Sequence, residues 1–246
     1  MNKNIINKNE NWETLIKKAE EFKINLTNKQ IEQFKEYWQF LYDYNKHTNL
    51  VSSAELDIVA SKHFADSLAI GLLDLDLNTP KTVLDIGIGG GFPGVPIIIA
   101  YPQLKLCAVD SVGKKTEFLS QLSQVIKIND RIEIINSRAE DFAKKEGRKG
   151  FFDISVSRAV SKLNVLLEYT LPFVKVGGYF IAYKAKTIQE EIQESKQSLS
   201  ILGGEVIKIV NYTLSDETRN LVLIKKIKAT PEKYPRKTGI PHKNPL

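Results

Sequence analysis

The segment Val83-Leu84-Asp85-Ile86-Gly87-Ile88-Gly89-Gly90-Gly91-Phe92-Pro93-Gly94 concentrates the residue types that hold a nucleotide-containing ligand. An apolar run enters a cluster of glycines, where the missing Cβ permits positive φ and close approach of a ligand to the backbone. Two patterns overlap. Gly89, Gly91 and Gly94 satisfy G-x-G-x-x-G, the dinucleotide fingerprint, which alone is a weak signal. Gly87, Gly89 and Gly91 satisfy the tighter G-x-G-x-G, with Asp85 two residues ahead. A carboxylate beside the turn suits the ammonium of a methionine moiety better than a pyrophosphate. The turn therefore favours S-adenosylmethionine, with a dinucleotide as the competing ligand.

Asp110 closes the next apolar run, where an acidic side chain can accept hydrogen bonds from both ribose hydroxyls of either ligand; a helix-capping Asp is the alternative. Ser137-Arg138-Ala139-Glu140-Asp141 follows the third run, and the small Ala139 leaves room for an adenine ring. Ser157-Arg158-Ala159 follows the fourth, and it puts a guanidinium at the same edge. The alternative for Arg158 is a salt bridge to Glu140 or Asp85. Cys107 is the only cysteine, which excludes an intrachain disulfide and a cysteine-based zinc site, and its apolar neighbours read as a buried strand. No metal site is expected.

These residues need an open α/β sheet to position them. Strands are expected at Thr82–Ile86, Leu104–Val109, Ile132–Asn136, Ile154–Ser157 and Tyr179–Tyr183. Helices are expected at Val95–Ala100, Lys114–Ile126, Lys162–Leu171 and Thr187–Leu202, an alternation that signals successive βα units and a mostly parallel sheet. Pro93 suits the first turn of the first of these helices. Glu205–Tyr212 and Arg219–Lys226 lack a helix between them and read as a C-terminal antiparallel strand pair. Ahead of the sheet, Thr27 with Gln30 makes a capping box, and Ile31, Phe34, Trp38, Leu41 and Tyr42 share one helical face. Further helical segments are expected at Trp12–Phe22 and Phe64–Leu73.

The 246 residues, 42% of them hydrophobic, suffice for one substantial core with an appendage. The expected division is an N-terminal helical appendage (1–78), a ligand-binding α/β domain (79–228) and a basic tail (229–246). The net charge is +6, and residues 224–246 alone carry that excess, with seven basic side chains against one acidic. Such a block suits a polyanion, with a merely solvated end as the alternative. No apolar stretch approaches the length of a membrane span, so a cytoplasmic protein is expected, with a monomer as the default.

Taken together, the motifs closely resemble the glucose-inhibited division protein B family, bacterial methyltransferases that modify N7 of a guanine in small-subunit (16S) ribosomal RNA. The likeness rests on Tyr44-Asn45-Lys46-His47-Thr48-Asn49-Leu50, His63-Phe64-Ala65-Asp66-Ser67-Leu68, the turn from Asp85 to Pro96, Asp110-Ser111-Val112-Gly113-Lys114, Ser137-Arg138-Ala139-Glu140, Ser157-Arg158-Ala159, and the tail from Tyr234-Pro235-Arg236-Lys237 to Pro245-Leu246. Two departures are Ile88, where the family has a small residue, and Lys184-Ala185, where Lys-Gly is common.

The resemblance implies a Rossmann-like class I methyltransferase fold. It places Gly87, Phe92, Ala139, Glu140 and Arg158 on cofactor-contacting positions, with Asp110 in the ribose-side segment. With Asp85, Gly89 and Gly91 these make up the expected cofactor set. Guanine N7 already carries a free lone pair, so no general base is required, and Arg158 is expected to orient cofactor or guanine. His47 and His63 are candidates by family position, with a structural role as the alternative. The major groove of A-form RNA hides N7, so the guanine must be unpaired or flipped and the RNA read by its shape. Lys225, Lys226, Lys228, Lys233, Arg236, Lys237 and Lys243 are the expected RNA-facing cations, with a small-subunit particle as the expected partner. The rival readings are an oxidoreductase, a non-catalytic RNA-binding protein, and a methylase of protein or small molecules.

Overall fold

The computed structural model describes residues 12–158, 161–185 and 188–246. The polar residues before Trp12, Ala159 beside Arg158, and Thr187 at the expected start of the last long helix lie outside the described residues.

Seven strands form one sheet: β1 (Lys81–Ile86), β2 (Leu104–Asp110), β3 (Ile132–Asn136), β4 (Phe152–Arg158), β5 (Val174–Lys184), β6 (Gly204–Leu214) and β7 (Glu217–Lys226). Their order is β3-β2-β1-β4-β5-β7-β6. The first five run parallel, and β7 lies antiparallel between β5 and β6. This is the Rossmann-like arrangement expected, with the C-terminal antiparallel pair in place. The order reverses at β1 and β4, so a crevice opens beyond the carboxyl ends of these strands, where open α/β sheets bind ligands.

Helices follow their strands at the four places the apolar spacing predicts: α4 (Gly94–Ala100), α5 (Gly113–Val125), α7 (Leu163–Thr170), and the pair α8 (Ile188–Glu194) and α9 (Lys196–Leu202). The last pair was expected as one helix. Ser195 interrupts it, its hydroxyl turned back to the Glu191 carbonyl at 2.6 Å, while Gly203 at φ +81° ends α9. A single turn, α6 (Ala139–Phe142), was not anticipated; four residues carry no periodicity to detect.

The N-terminal helices α1 (Trp12–Glu21) and α2 (Asn28–Asn45) share a continuous core with the sheet. Thr27 and Gln30 form the expected capping box of α2. The Gln30 amide also donates to the carbonyls of Ile99 and Ala100 at 2.8 and 2.9 Å, and Gln33 donates to that of Ile126 at 2.7 Å. Helix α2 thus satisfies carbonyls that α4 and α5 leave open at their ends. Phe34, Tyr37 and Leu41 are fully buried in the same interface.

Residues 53–72 depart most from expectation. In place of one short helix near Phe64–Leu73, the chain makes a 3-10 stretch (Ser53–Ile58), a wider π turn (Val59–Phe64), α3 (Ala65–Leu68) and a second 3-10 turn (Ala69–Leu72). The changing pitch brings Val59, Ala60, Phe64, Ala65, Leu68 and Ala69 all into the core. The tail is not a loose end: it docks on α7 with Tyr234 and Pro241 buried, and its last helix is α10 (Ile240–Lys243).

Candidate active site

The glycine turn leaves β1 at Gly87, whose N–H donates to the Val109 carbonyl at 2.8 Å. Gly87, Gly89 and Gly91 have φ of +76°, +60° and +105°, which explains the need for glycine. Gly91 is in addition the place where α2 reaches the turn. The Tyr37 hydroxyl donates to the Gly90 carbonyl, and a Cβ on Gly91 would collide with that hydroxyl. Ile88 points into the core at 1% exposure, so the turn accommodates the larger residue.

Among the described residues, two cavities flank the turn, and Gly87 lines both. The smaller, about 170 Å³, is walled by Asp110, Ser137, Ala139, Glu140 and Tyr169. The larger, about 510 Å³, is walled by Asn49, Ser52, Glu55, His63, Phe92 and Arg158, with Gly89 and Gly90 as its floor. Asp110 is nearly buried and fixed to the turn: one carboxylate oxygen accepts from Gly89 N–H at 3.0 Å, the other from Val112 N–H at 2.9 Å. Glu140 is held by the tail, accepting from Gly239 N–H at 3.1 Å. Burial, with Glu140 beside it, pushes the Tyr169 hydroxyl up to about 12.

The family model described as GidB, rRNA small subunit methyltransferase G, matches residues 30–222, from the appendage into β7. The chain belongs to this family. Relatives named Ribosomal RNA small subunit methyltransferase G include those of Lactococcus lactis subsp. lactis (strain IL1403), 42% identical over 92% of this chain and 95% of the relative, and Acetivibrio thermocellus (strain ATCC 27405), 43% identical over 94% and 95%. Among solved structures, Aeropyrum pernix fibrillarin, in complex with natively bound S-adenosyl-L-methionine, is similar in fold, with TM-score 0.52 at 15% identity over 65% of this chain and 73% of that one. Methanococcus jannaschii fibrillarin has TM-score 0.52 at 18% identity, over 67% and 74%.

Within this family member, most of the expected cofactor residues meet at the two cavities: Gly87, Gly89, Phe92, Asp110, Ala139, Glu140 and Arg158. Two do not. Asp85 is fully buried beneath the turn, accepting from Gly94 N–H at 2.8 Å, with its other oxygen unpartnered; burial raises its pKa well above the carboxylate range. It anchors the start of α4 and lines neither cavity. Gly91 packs against Tyr37 and lines neither cavity.

Arg158 pairs with neither Glu140 nor Asp85. One guanidinium nitrogen donates to Asp66 at 3.0 Å, another lies 3.1 Å from His63 Nδ1, and the group sits 5.0 Å over the Phe92 ring. Asp66, 1% exposed, also accepts from the Tyr212 hydroxyl at 2.6 Å and from Arg219 at 3.4 Å. This carboxylate ties the N-terminal segment to β4 and to the β6–β7 hairpin. Asp66 stood in the sequence only as part of a likeness, whereas His63 was a candidate by family position; their shared motif on an apolar stretch was the available signal. Tyr37 had no such signal, since its role depends on a contact across 53 positions. His47 lines neither cavity.

The expected RNA-facing set also needs correction. Lys226 is 1% exposed and donates to the carbonyls of Leu171 and Leu202 at 2.8 and 2.7 Å and to the Thr230 hydroxyl; desolvation lowers its pKa to about 7. Arg236 clamps the buried carboxylate of Glu168, with contacts of 2.7 to 3.1 Å. Both hold the tail down. Lys228, Lys233, Lys237 and Lys243 are exposed and Lys225 is half-buried. Among the described residues, no group of His, Cys, Asp and Glu is arranged to hold a metal ion, and no helix is long and apolar enough to cross a membrane.

Proposed function

We propose that this chain transfers the methyl group of S-adenosylmethionine to N7 of a guanine in 16S ribosomal RNA, acting as a cytoplasmic monomer on a small-subunit particle. The observation that carries the reading, beside family membership, is the pair of cavities meeting at Gly87. The smaller suits a nucleoside: both Asp110 oxygens are fixed by backbone donors yet each keeps a lone pair for a ribose hydroxyl, and Ala139 leaves space for a flat ring. The larger has a guanidinium and an aromatic face for the amino-acid arm and room for an incoming base. The residues present fit the cofactor.

The bound cofactor supplies an electrophilic methyl on a sulfonium. The protein then has to hold nucleophile and methyl carbon close and collinear, and such positioning accounts for roughly 7 to 11 kcal/mol of a barrier of this kind. Arg158 is equipped to orient, since Asp66, His63 and Phe92 fix its guanidinium from three sides. No side chain need take a proton from N7, in keeping with a site lacking a nucleophilic cysteine: Cys107 is buried in β2, its thiol pushed up to about 12.

The decisive assay supplies labelled S-adenosylmethionine and small subunits from a strain lacking this protein, with free ribosomal RNA and protein extract in parallel. Label recovered as 7-methylguanosine is the expected result. Label in protein or small molecules would overturn the RNA substrate, and none anywhere would overturn catalysis. In the same assay Arg158→Ala should lower both cofactor affinity and turnover.

A further inference from the structure

Glu55 and His63 both line the larger cavity, and their hydrogen-bonding capacity can be counted atom by atom. A guanidinium has no acceptor, so the contact between Arg158 and His63 Nδ1 is a donation to the ring. The imidazole proton therefore resides on Nε2. Burial and the neighbouring Arg158 keep the ring neutral, with its pKa lowered to about 4. Nε2–H is buried and has no hydrogen-bond partner; Glu55 Oε2 stands 3.7 Å away, beyond bonding distance.

Glu55 is ionised, its pKa held at about 2 chiefly by the hydrogen bond from Lys62. Oε1 pairs with Lys62 at 2.8 Å and Oε2 accepts from the Ser52 hydroxyl at 2.9 Å. A carboxylate offers about four acceptor sites, so each oxygen retains one. Side by side, His63 and Glu55 present a donor followed by two acceptors. The Watson–Crick edge of guanine presents the complement: O6 accepts, N1–H and N2–H donate. Adenine and cytosine begin with a donor and then an acceptor, and uracil ends on an acceptor, so none of the three matches all positions.

We propose that Glu55 and His63 read the Watson–Crick edge of the target base, Glu55 accepting from N1–H and N2–H while His63 Nε2–H donates to O6. The assignment rests on the guanine reading above and deepens it. O6 borders both edges of the base, so N7 comes to lie beside His63, on the flank where its ring packs 5.1 Å from Phe92 and where Arg158 sits. That is the side of the glycine turn. Entry of O6 moves the Glu55 side chain, which is 29% exposed, off the imidazole. The same arrangement requires the guanine to be unpaired, because its pairing edge is spent on protein.

Glu55→Gln tests this, because it replaces one of the two acceptor oxygens with an NH2 group, which sets a donor against one of the two guanine donors. A hydrogen bond to a charged group is worth a factor of about 10 to 150. The variant should lose that much in kcat/KM for RNA methylation while binding S-adenosylhomocysteine as the wild type does. A substrate RNA with inosine at the target position lacks N2–H; wild type should discriminate against it by about tenfold or more, and E55Q should treat the two alike. Wild type is assayed first: without 7-methylguanosine the functional reading falls, and this one with it. If wild type forms it but E55Q keeps full activity or full discrimination against inosine, the edge-reading assignment alone is overturned. Loss of S-adenosylhomocysteine binding in parallel with activity would reduce Glu55 to a structural role and overturn it likewise.

Discussion

Tyr37 closes on the Gly90 carbonyl from outside the nucleotide-binding sheet, so the turn's shape depends on a residue of α2. Removing the hydroxyl leaves a buried carbonyl unpaired, a defect worth about 1 to 3 kcal/mol. Tyr37→Phe should lower stability to urea by that amount and weaken S-adenosylhomocysteine binding measured by calorimetry. Gly91→Ala should be worse, since it combines φ of +105° with a collision against Tyr37. His63 gives a pH signature. Burial first, then Arg158, lowers its folded pKa from 6.5 to about 4, so the fold favours the neutral ring. Its contribution is intact above about 6.5, declines as pH falls, and is exhausted below about 4. Denaturation midpoints of wild type and His63→Gln should therefore converge as pH falls through that interval. At this scale the glycines were readable from their own sequence, whereas Asp85 was not. Its acidity suggested a ligand ammonium, but burial turned it to the Gly94 amide.

At the scale of elements, the caps decide which helices hold. Gln30 serves both its own capping box and the carbonyls of Ile99 and Ala100, so Gln30→Ala should destabilise by more than the roughly 1 kcal/mol of a cap alone. The capping box was legible because its partners are three residues apart; the contacts to α4 were not, because they span about 70 positions. The tail teaches the same lesson. Lys226 and Arg236 look like solvated cations in a basic run, and only the fold reveals the carbonyls and the Glu168 carboxylate that consume them. Arg236→Ala leaves Glu168 buried without its ion pair, a change that typically costs about 3 to 5 kcal/mol. Limited proteolysis should then cut the tail first. Residues 53–72 were misread because alternating 3-10 and π pitches present no single helical period.

Over the whole molecule, the strand positions and their alternation with helices followed from local apolar patterning, which is why the strands were readable almost one for one, while their order across the sheet is set by non-local pairing. What remained hidden was the merger of appendage, sheet and tail around one crevice. The separation of tail cations into two groups gives a test by ionic strength. Replacing Lys225, Lys228, Lys233, Lys237 and Lys243 by Gln should flatten the dependence of log K on log salt by roughly 0.7 to 0.9 for each charge that meets a phosphate. Lys226→Gln should leave that slope unchanged, since its ammonium never reaches the surface.

The bond from Gly239 to Glu140 makes the basic tail a structural part of the smaller cavity. Glu140 walls that cavity, yet the backbone donor that fixes it lies beyond β7, two residues from the exposed Lys237. Any pull on this strap is therefore transmitted to the carboxylate, and whatever lifts the strap also frees Glu140. The tail acts as a tether, mechanically coupling a charged outer face to the wall of a nucleoside cavity.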